Sequence, residues 1–345
     1  MSVVLHHETR KKFNSYKADI ARANNVENVN ETFAVAPAPT QKIISAYQEA
    51  ADFLKKINFY QVDNASGQKI GLQVGTSVAS TTDTRTQPRK PTAVGSLDLL
   101  DEYLCTQTNY DVAYYWNLIN TWRHFPEFKQ KLQQLVTKTI ALDKLCIGWN
   151  GVYRAPSSDR IANPMLEDVK KGWLQKIREN APEQCFPGSN FFGDGKFYNM
   201  VGQTTDRFKN LDAFVESAID TFIPRQHRSS GLVAIVGSGL MSSKYLPILN
   251  TYHTYQPTEM IAAKTLYATK ELGSLQAMYV PKFPERTILI TTPDNLSIYM
   301  QNGTLVRSIQ VQPEWDRDVD FQSVNEDFVV EDYSKCALLE NIHVT

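Results

Sequence analysis

Apolar and polar positions alternate along this chain in blocks, and the longest block sets the frame. Over residues 126–149, apolar side chains fall at Phe128, Leu132, Leu135, Val136, Ile140, Leu142, Leu145, Cys146 and Trp149. That spacing is close to the 3.6-residue turn of an amphipathic helix. Pro126 suits the first turn, where a missing N–H costs nothing, and Gly148, Asn150 and Gly151 supply stop signals. At 1.5 Å per residue the helix would run roughly 33 Å, the width of a domain. Lys129, Lys131, Gln133, Gln134 and Lys138 would form its wetted or partner-facing side.

Ahead of it, residues 8–25 predict a shorter basic helix with Phe13, Tyr16 and Ile20 on one face. Two readings of this segment stand side by side: a frayed terminus, or a peptide that docks on a partner. The Asn-rich stretch 24–32 follows. Pro37 and Pro39 predict extended chain, with Thr40 capping a helix over 41–57 whose stripe is Ile43, Tyr47, Ala50, Leu54 and Ile57. Residues 69–74 alternate in strand fashion through Ile70, Leu72 and Val74, and the pattern resumes over 103–115 with Tyr110, Val112 and Tyr114 on one face. Between them, 75–95 is nearly free of large apolar residues and carries Arg85, Arg89 and Lys90. A lone two-stranded excursion of this length is not stable in water, and a compact domain rarely carries such a loop without a use. The pattern predicts an arm laid on another chain.

Beyond the long helix, Asn163 and Pro164 predict the start of a helix with Met165, Val169, Trp173 and Ile177 as its buried stripe. Residues 186–202 are Gly-rich and aromatic, an irregular surface connection. A second module begins near Thr204. It holds a helix with Leu211, Phe214, Val215, Ala218, Ile219 and Phe222, ended by Pro224, and a buried strand over 232–236. Helices over 242–249 and 259–272, the latter stopped by Gly273, and strands over 276–280, 287–291 and 296–301 complete it. Asn302-Gly303 marks a turn. Strands over 306–311, 328–331 and 337–343 must then return to the first module for partners. The chain reads as α+β, leaving one domain, building a second and coming home.

Composition narrows the classes. The chain has 345 residues, a formal net charge of −1, and 42% hydrophobic residues, enough to build packed cores. Near-neutral charge argues against a dedicated nucleic-acid or membrane-surface binder. The N-terminus lacks a signal-peptide core, and no apolar run approaches a membrane span. Cys105, Cys146, Cys185 and Cys336 lack metal spacing and read as small hydrophobes in a reducing cytoplasm.

Candidate chemistry is sparse. Gly237-Ser238-Gly239 sits between a strand and a helix, as a phosphate-cradling loop would. A third glycine is replaced by Ser242 and no acid stands about 20 positions on. The glycines are therefore read as serving a strand–helix turn. Glu314, Asp316, Asp318 and Asp320 alternate with Trp315, Arg317 and Val319 and read as a solvated or partner-facing edge rather than a cation site. The histidines are scattered, and His124 reads as a capping or packing residue. No catalytic residue, cofactor or metal is expected.

Several stretches resemble the major capsid proteins of Peduovirus-type (P2-like) tailed phages. They are ETRKKFNSY from Glu8, VASTTDT from Val78, GWNGVYRA from Gly148 with SDR and NPMLEDVKKGWLQK behind it, NLSIY from Asn295 and VVEDY from Val329. They keep the family's order over nearly the whole chain, departing over 183–202 and at the hairpin tip. The resemblance implies an HK97-like capsid fold and a map. Residues 1–33 would be a scaffold-like segment removed by a maturation protease, with the cut between Phe33 and Ala34. Residues 34–60 would be the N-arm, 61–115 the extended loop, and 116–203 a peripheral domain with spine helix 126–149. Residues 204–302 would be the axial domain, and 303–345 the closing strands of the peripheral domain.

The implied function is a capsid protein that self-assembles as hexamers and pentamers of an icosahedral shell around double-stranded DNA, held without sequence specificity. The implied partners are an internal scaffold with its maturation protease and a portal protein, with no membrane and no cofactor. The implied location is the virion head, assembled in the host cytoplasm. A compartment shell of encapsulin type and a nucleotide-binding enzyme using the Gly237 loop are the alternatives.

Overall fold

The computed structural model describes residues 5–69, 79–90, 102–121, 127–186, 190–191, 197–201, 208, 210–240, 244 and 271–344. Its longest strand is β16 (Arg317–Val330), which organises a seven-stranded sheet. Antiparallel to it run β15 (Val306–Gln312), β14 (Leu296–Gln301), β5 (Thr106–Asn109) and β6 (Val112–Tyr115). Parallel to β14 lies β2 (Asn58–Val62), and β1 (Phe33–Ala34) pairs antiparallel with β15. The strand at 296–301, expected in the second module, therefore belongs to this first sheet. Leu296, Ile298 and Met300 alternate into the same core as Phe328 and Val330, which fixes that choice.

A six-stranded sheet carries the second core. Its order is β11 (Glu271–Leu272), β12 (Leu275–Met278), β10 (Val233–Val236), β13 (Ile288–Thr291), β17 (Ala337–Leu339) and β7 (Cys185–Phe186). Helix α6 (Leu211–Phe222) packs on it through Leu211, Phe214, Val215, Ala218 and Ile219. Two departures from the sequence reading appear here. The C-terminal β17 does not return to the first sheet; Leu338 and Leu339 bridge β13 and β7. Gly273, at φ +61°, turns a β11–β12 hairpin instead of ending a helix at 272. The rest of that helix, and the 242–249 helix apart from helical Lys244, lie outside the described residues. Residues 186–202 are not wholly irregular: β9 (Phe197–Val201) pairs with β8 (Asn190–Phe191) and with β18 (Ile342–Val344).

Helices cover the first sheet. The long helix α4 (Phe128–Asn150) forms as expected, with Pro126 outside the described residues. Its stripe is Phe128, Leu132, Val136 and Ile140, but Leu135 is 48% exposed, against expectation. Past Ile140 the helix is buried on several sides and even Lys144 is enclosed. Helix α1 (His7–Asn24) is neither frayed nor free: Phe13 and Tyr16 sit in the main core, and Asn25 closes it in a left-handed C-cap. Helix α2 (Pro37–Ala50) starts at Pro37, so the prolines do not extend the chain and Thr40 is not its cap. Proline is at home in a first helical turn, and the Thr40 hydroxyl instead bonds back to Ala36 O at 2.9 Å. Leu54 and Ile57 are buried as expected, in turns rather than helix.

After α4, no helix opens at Pro164. Leu166 takes φ +61°, which a helix cannot hold, and only α5 (Trp173–Asn180) is helical. Helix α3 (Trp116–Thr121) follows β6 directly. A two-stranded ladder, β3 (Ser66–Gln68) against β4 (Glu102–Leu104), forms the root of the expected hairpin. The expected strand over 70–74 lies outside the described residues.

Candidate functional site

Four acids of β16 are the fastening points of the subunit. On a strand, alternate side chains share a face, and Asp318, Asp320 and Glu326 all lie on the face that meets α1 and α4. Asp318 is buried and takes Lys17 Nζ of α1 at 3.0 Å and Trp116 Nε1 at 2.9 Å. Asp320, fully buried, takes a forked pair from Arg307 at 2.9 and 2.6 Å, with Tyr114 OH at 3.2 Å. Arg307 also donates to Tyr16 OH at 3.1 Å. Glu326 meets Lys144 of α4 and Tyr110 OH. Burial, then the neighbouring carboxylates, hold the Tyr110 and Tyr114 phenols well above their usual pKa. On the opposite face Asp327 takes Lys176 Nζ of α5 at 2.8 Å and the Leu104 N–H at 3.0 Å.

This overturns the reading of the acidic series as a solvated edge. Glu314 is exposed and Asp316 half-buried at the end of the strand, but Asp318 and Asp320 are core residues. The period of two was visible in the sequence; the partners were not, because Lys17, Arg307 and Tyr114 lie far apart along the chain.

The expected cut falls inside β1. Phe33 is buried, Ala34 exposed, and the two pair with Arg307 and Val306. The Val35 N–H donates to Leu305 O at 2.8 Å, and the Ile309 N–H donates to Val29 O at 2.7 Å. A protease reads an extended backbone, so this edge strand has the right conformation but must leave β15 before both of its faces are available. Phe33 and Ala34 thus sit together with the Arg307–Asp320 pair and Tyr16, directly across the sheet edge.

The glycines of GWNG and VKKGW meet each other. A Cβ on Gly148 would lie 2.3 Å from the Trp173 ring, one on Gly151 1.9 Å from Lys170 O, and one on Gly172 2.3 Å from Ile147 O. The backbones of α4 and the α5 approach touch there, with Trp149 and Trp173 rings 4.8 Å apart. The Gly237 loop has a similar origin: a Cβ would meet Glu285 O at 2.1 Å. Close packing therefore accounts for Gly237.

The hairpin root is pinned to this core. Lys170 Nζ donates to Leu104 O and Thr106 Oγ1, both at 2.8 Å, and to Glu326 O at 2.6 Å. Residues 79–90, by contrast, are exposed almost throughout. Further apolar side chains reach solvent at the β6 end of the sheet, where Tyr115, Leu118, Val311 and Trp315 are exposed. Exposed large apolar side chains gathered at one end of a sheet suit contact with another molecule.

Other candidates assemble nothing. Among the described residues no group of three His, Cys, Asp or Glu is placed to hold a metal, and no helix is long and apolar enough to cross a membrane. His124 lies outside the described residues. All four cysteines are free, and burial raises each thiol pKa, to about 11 for Cys105 and Cys185 and about 12 for Cys336.

A family model for the phage major capsid protein, P2 family, matches residues 12–342. The chain belongs to the P2 family of phage major capsid proteins. Among the relatives of this P2-family chain are the capsid protein of Escherichia phage P2, 36% identical over 356 aligned positions covering 99% of this chain and 96% of that one, and the major capsid protein of Serratia phage KSP20, 33% identical over 338 positions covering 97% and 96%. A chain from the satellite phage P4 procapsid solved with the size determination (Sid) protein superposes with a TM-score of 0.80, at 34% identity and 99% coverage of both chains. The P2-family chain thus has the HK97-like capsid fold that its sequence resemblance implied, and it is a major capsid protein that forms the phage head shell.

Proposed function

We propose that copies of this chain occupy the pentamers and hexamers of an icosahedral head around double-stranded DNA, which the shell holds without sequence specificity. The observation that carries the reading is the hairpin. Its root is bonded into the core through Lys170 and Asp327, while residues 79–90 stand exposed, so its stabilising contacts belong to a neighbour. A net charge of −1 suits a container, since strong attraction to DNA would hinder filling and strong self-repulsion would weaken the lattice.

In this reading the seven-stranded sheet with α4 is the peripheral domain and the six-stranded sheet with α6 is the axial domain. The axial domain then ends before Leu296 and takes back β17. Residues 34–60 are the N-arm and 61–115 the extended loop. Residues 1–33 are the scaffold-like segment that a maturation protease removes at Phe33–Ala34. An internal scaffold and a portal protein complete the assembly, which takes place in the host cytoplasm away from membranes.

Electron microscopy of the chain expressed with and without its scaffold partner tests this. Closed shells are expected, and deletion of 75–95 should leave a folded subunit that makes none. Intact particles from the deletion variant would overturn the role of the loop. Mass spectrometry of DNA-filled heads should find chains beginning at Ala34; chains that retain residues 1–33 would remove the trimming step.

A further inference from the structure

A polar cavity of about 280 Å³ lies between α4, β5 and the loop that follows α4. Thr108, Asp111, Asp143, Arg154, Arg160 and Asp168 help line it. Thr108 is 3% exposed and Asp168 2%, yet Thr108 Oγ1 and Asp168 Oδ1 have no hydrogen-bond partner. The other Asp168 oxygen accepts the Asp159 N–H at 2.6 Å, so the carboxylate is held in place. A buried oxygen without a partner is costly, and two in the lining of one cavity define a site shaped for a donor.

The charge balance specifies the donor. Three carboxylates face two guanidinium groups, and Arg154 is engaged with Thr106 Oγ1 at 3.2 Å. Among the described residues the acids are not grouped tightly enough for a metal ion. A long side chain with several N–H groups can reach separated acceptors where a point ion cannot.

The chain carries such side chains on its own exposed arm. Arg85, Arg89 and Lys90 are exposed, and the turn that presents them is organised by Asp83. Asp83 Oδ1 accepts the Arg85 N–H at 3.0 Å, while Asp83 O accepts the Thr86 N–H at 3.1 Å and the Gln87 N–H at 3.2 Å. A shaped cationic tip and a shaped anionic cavity occur on one self-assembling polypeptide.

We infer that the arm tip of one copy places a basic side chain, from Arg85, Arg89 or Lys90, in the Asp168 cavity of a second copy. This rests on the shell reading above. It gives the arm a specific address, and it makes the tip-to-cavity contact a charge-dependent clasp between neighbouring subunits.

Two measurements test it. Shells of an Arg85→Lys/Arg89→Lys chain, built from mixed light and heavy isotope copies, are treated with a carbodiimide and digested. Peptides carrying residues 85–90 should be joined to peptides carrying Asp111 or Asp143, in mixed-isotope pairs. In parallel, Arg85→Glu/Arg89→Glu/Lys90→Glu and Asp111→Lys should each lower shell yield at least tenfold with unchanged circular dichroism, and their combination should recover most of it. Links confined to one copy, no links to the cavity while the reagent joins other sites, or charge reversal without loss or rescue would each overturn the clasp. Failure of the unmodified chain to form any shell would instead refute the shell reading.

Discussion

Lys144 of α4 and Glu326 of β16, 182 residues apart in the chain, form an ion pair enclosed within the main core, with the Tyr110 hydroxyl on the same carboxylate. The pair ties α4 to β16 within the core. Breaking a buried pair from one side strands the other charge, at a cost of about 3–5 kcal/mol. Lys144→Met should therefore lower the urea midpoint of the subunit sharply. Replacing both, Lys144→Met with Glu326→Leu, should recover most of the loss. Equal damage from the single and the double variant would mean the pair is not an energetic unit.

Leu135 separates folding from assembly. It lies on α4 within the apolar series but faces solvent, whereas Leu132 is buried. Leu135→Asp should shift subunit stability by no more than about 0.5 kcal/mol, while Leu132→Ala should cost about 2–5 kcal/mol. Thermal unfolding of the unassembled subunit distinguishes them. A loss of shells with Leu135→Asp at unchanged melting would place that face against a neighbour.

Asp143 gives a pH test with a definite sign. Burial, the largest influence, raises its carboxyl pKa despite nearby Arg160, Lys282 and Lys144. A carboxylate with a raised folded pKa binds more protons folded than unfolded, so its contribution to stability falls as pH rises through the window between the two pKa values. Above that window the penalty is constant; below the unfolded value of about 3.9 it is gone. Asp143→Asn should raise the melting temperature at pH 7, and the gain should disappear in strong acid. A gain that persists unchanged at pH 3 would point to packing instead. The clasp makes a second demand on the same variant: subunits that are more stable but assemble less well.

How much of this was legible in the sequence depends on what the residues needed as partners. Helix α4 and the strands at 233–236 and 296–301 follow from period and turn chemistry alone. The family resemblance gave the fold. The sheet to which β14 and β17 belong was not legible, since apolar strands carry no label for their partner. Buried acids were misread for a related reason: Asp318 and Asp320 look solvated until Lys17 and Arg307 are placed beside them. Leu135 was misread because a helix buried on two sides toward its C-terminus mimics one continuous stripe. Leu166 forced the end of the expected helix by a left-handed backbone that no residue type there announces.

The last prediction concerns the proposed trimming. Residues 5–33 are part of the folded subunit: Phe13 and Tyr16 are in the core, and Lys17 neutralises Asp318. Each buried aromatic contributes about 1.5–3 kcal/mol, so a chain starting at Ala34 should be distinctly less stable than the full chain. It should still fold, because Arg307 keeps Asp320 and Trp116 keeps Asp318. The order of events follows. Trimming before assembly would yield weak subunits, whereas trimming afterwards leaves a subunit already held by its neighbours. Protease access requires β1 to leave β15, so weakening the segment's anchor should speed the cut. Lys17→Met, which leaves Asp318 without its cation, should accelerate scission at Phe33–Ala34 in isolated subunits in proportion to the stability it removes. Urea titration and time-resolved mass spectrometry of the same variant supply the two numbers. A cut rate indifferent to Lys17→Met would mean that the protease takes β1 from the sheet edge as it stands.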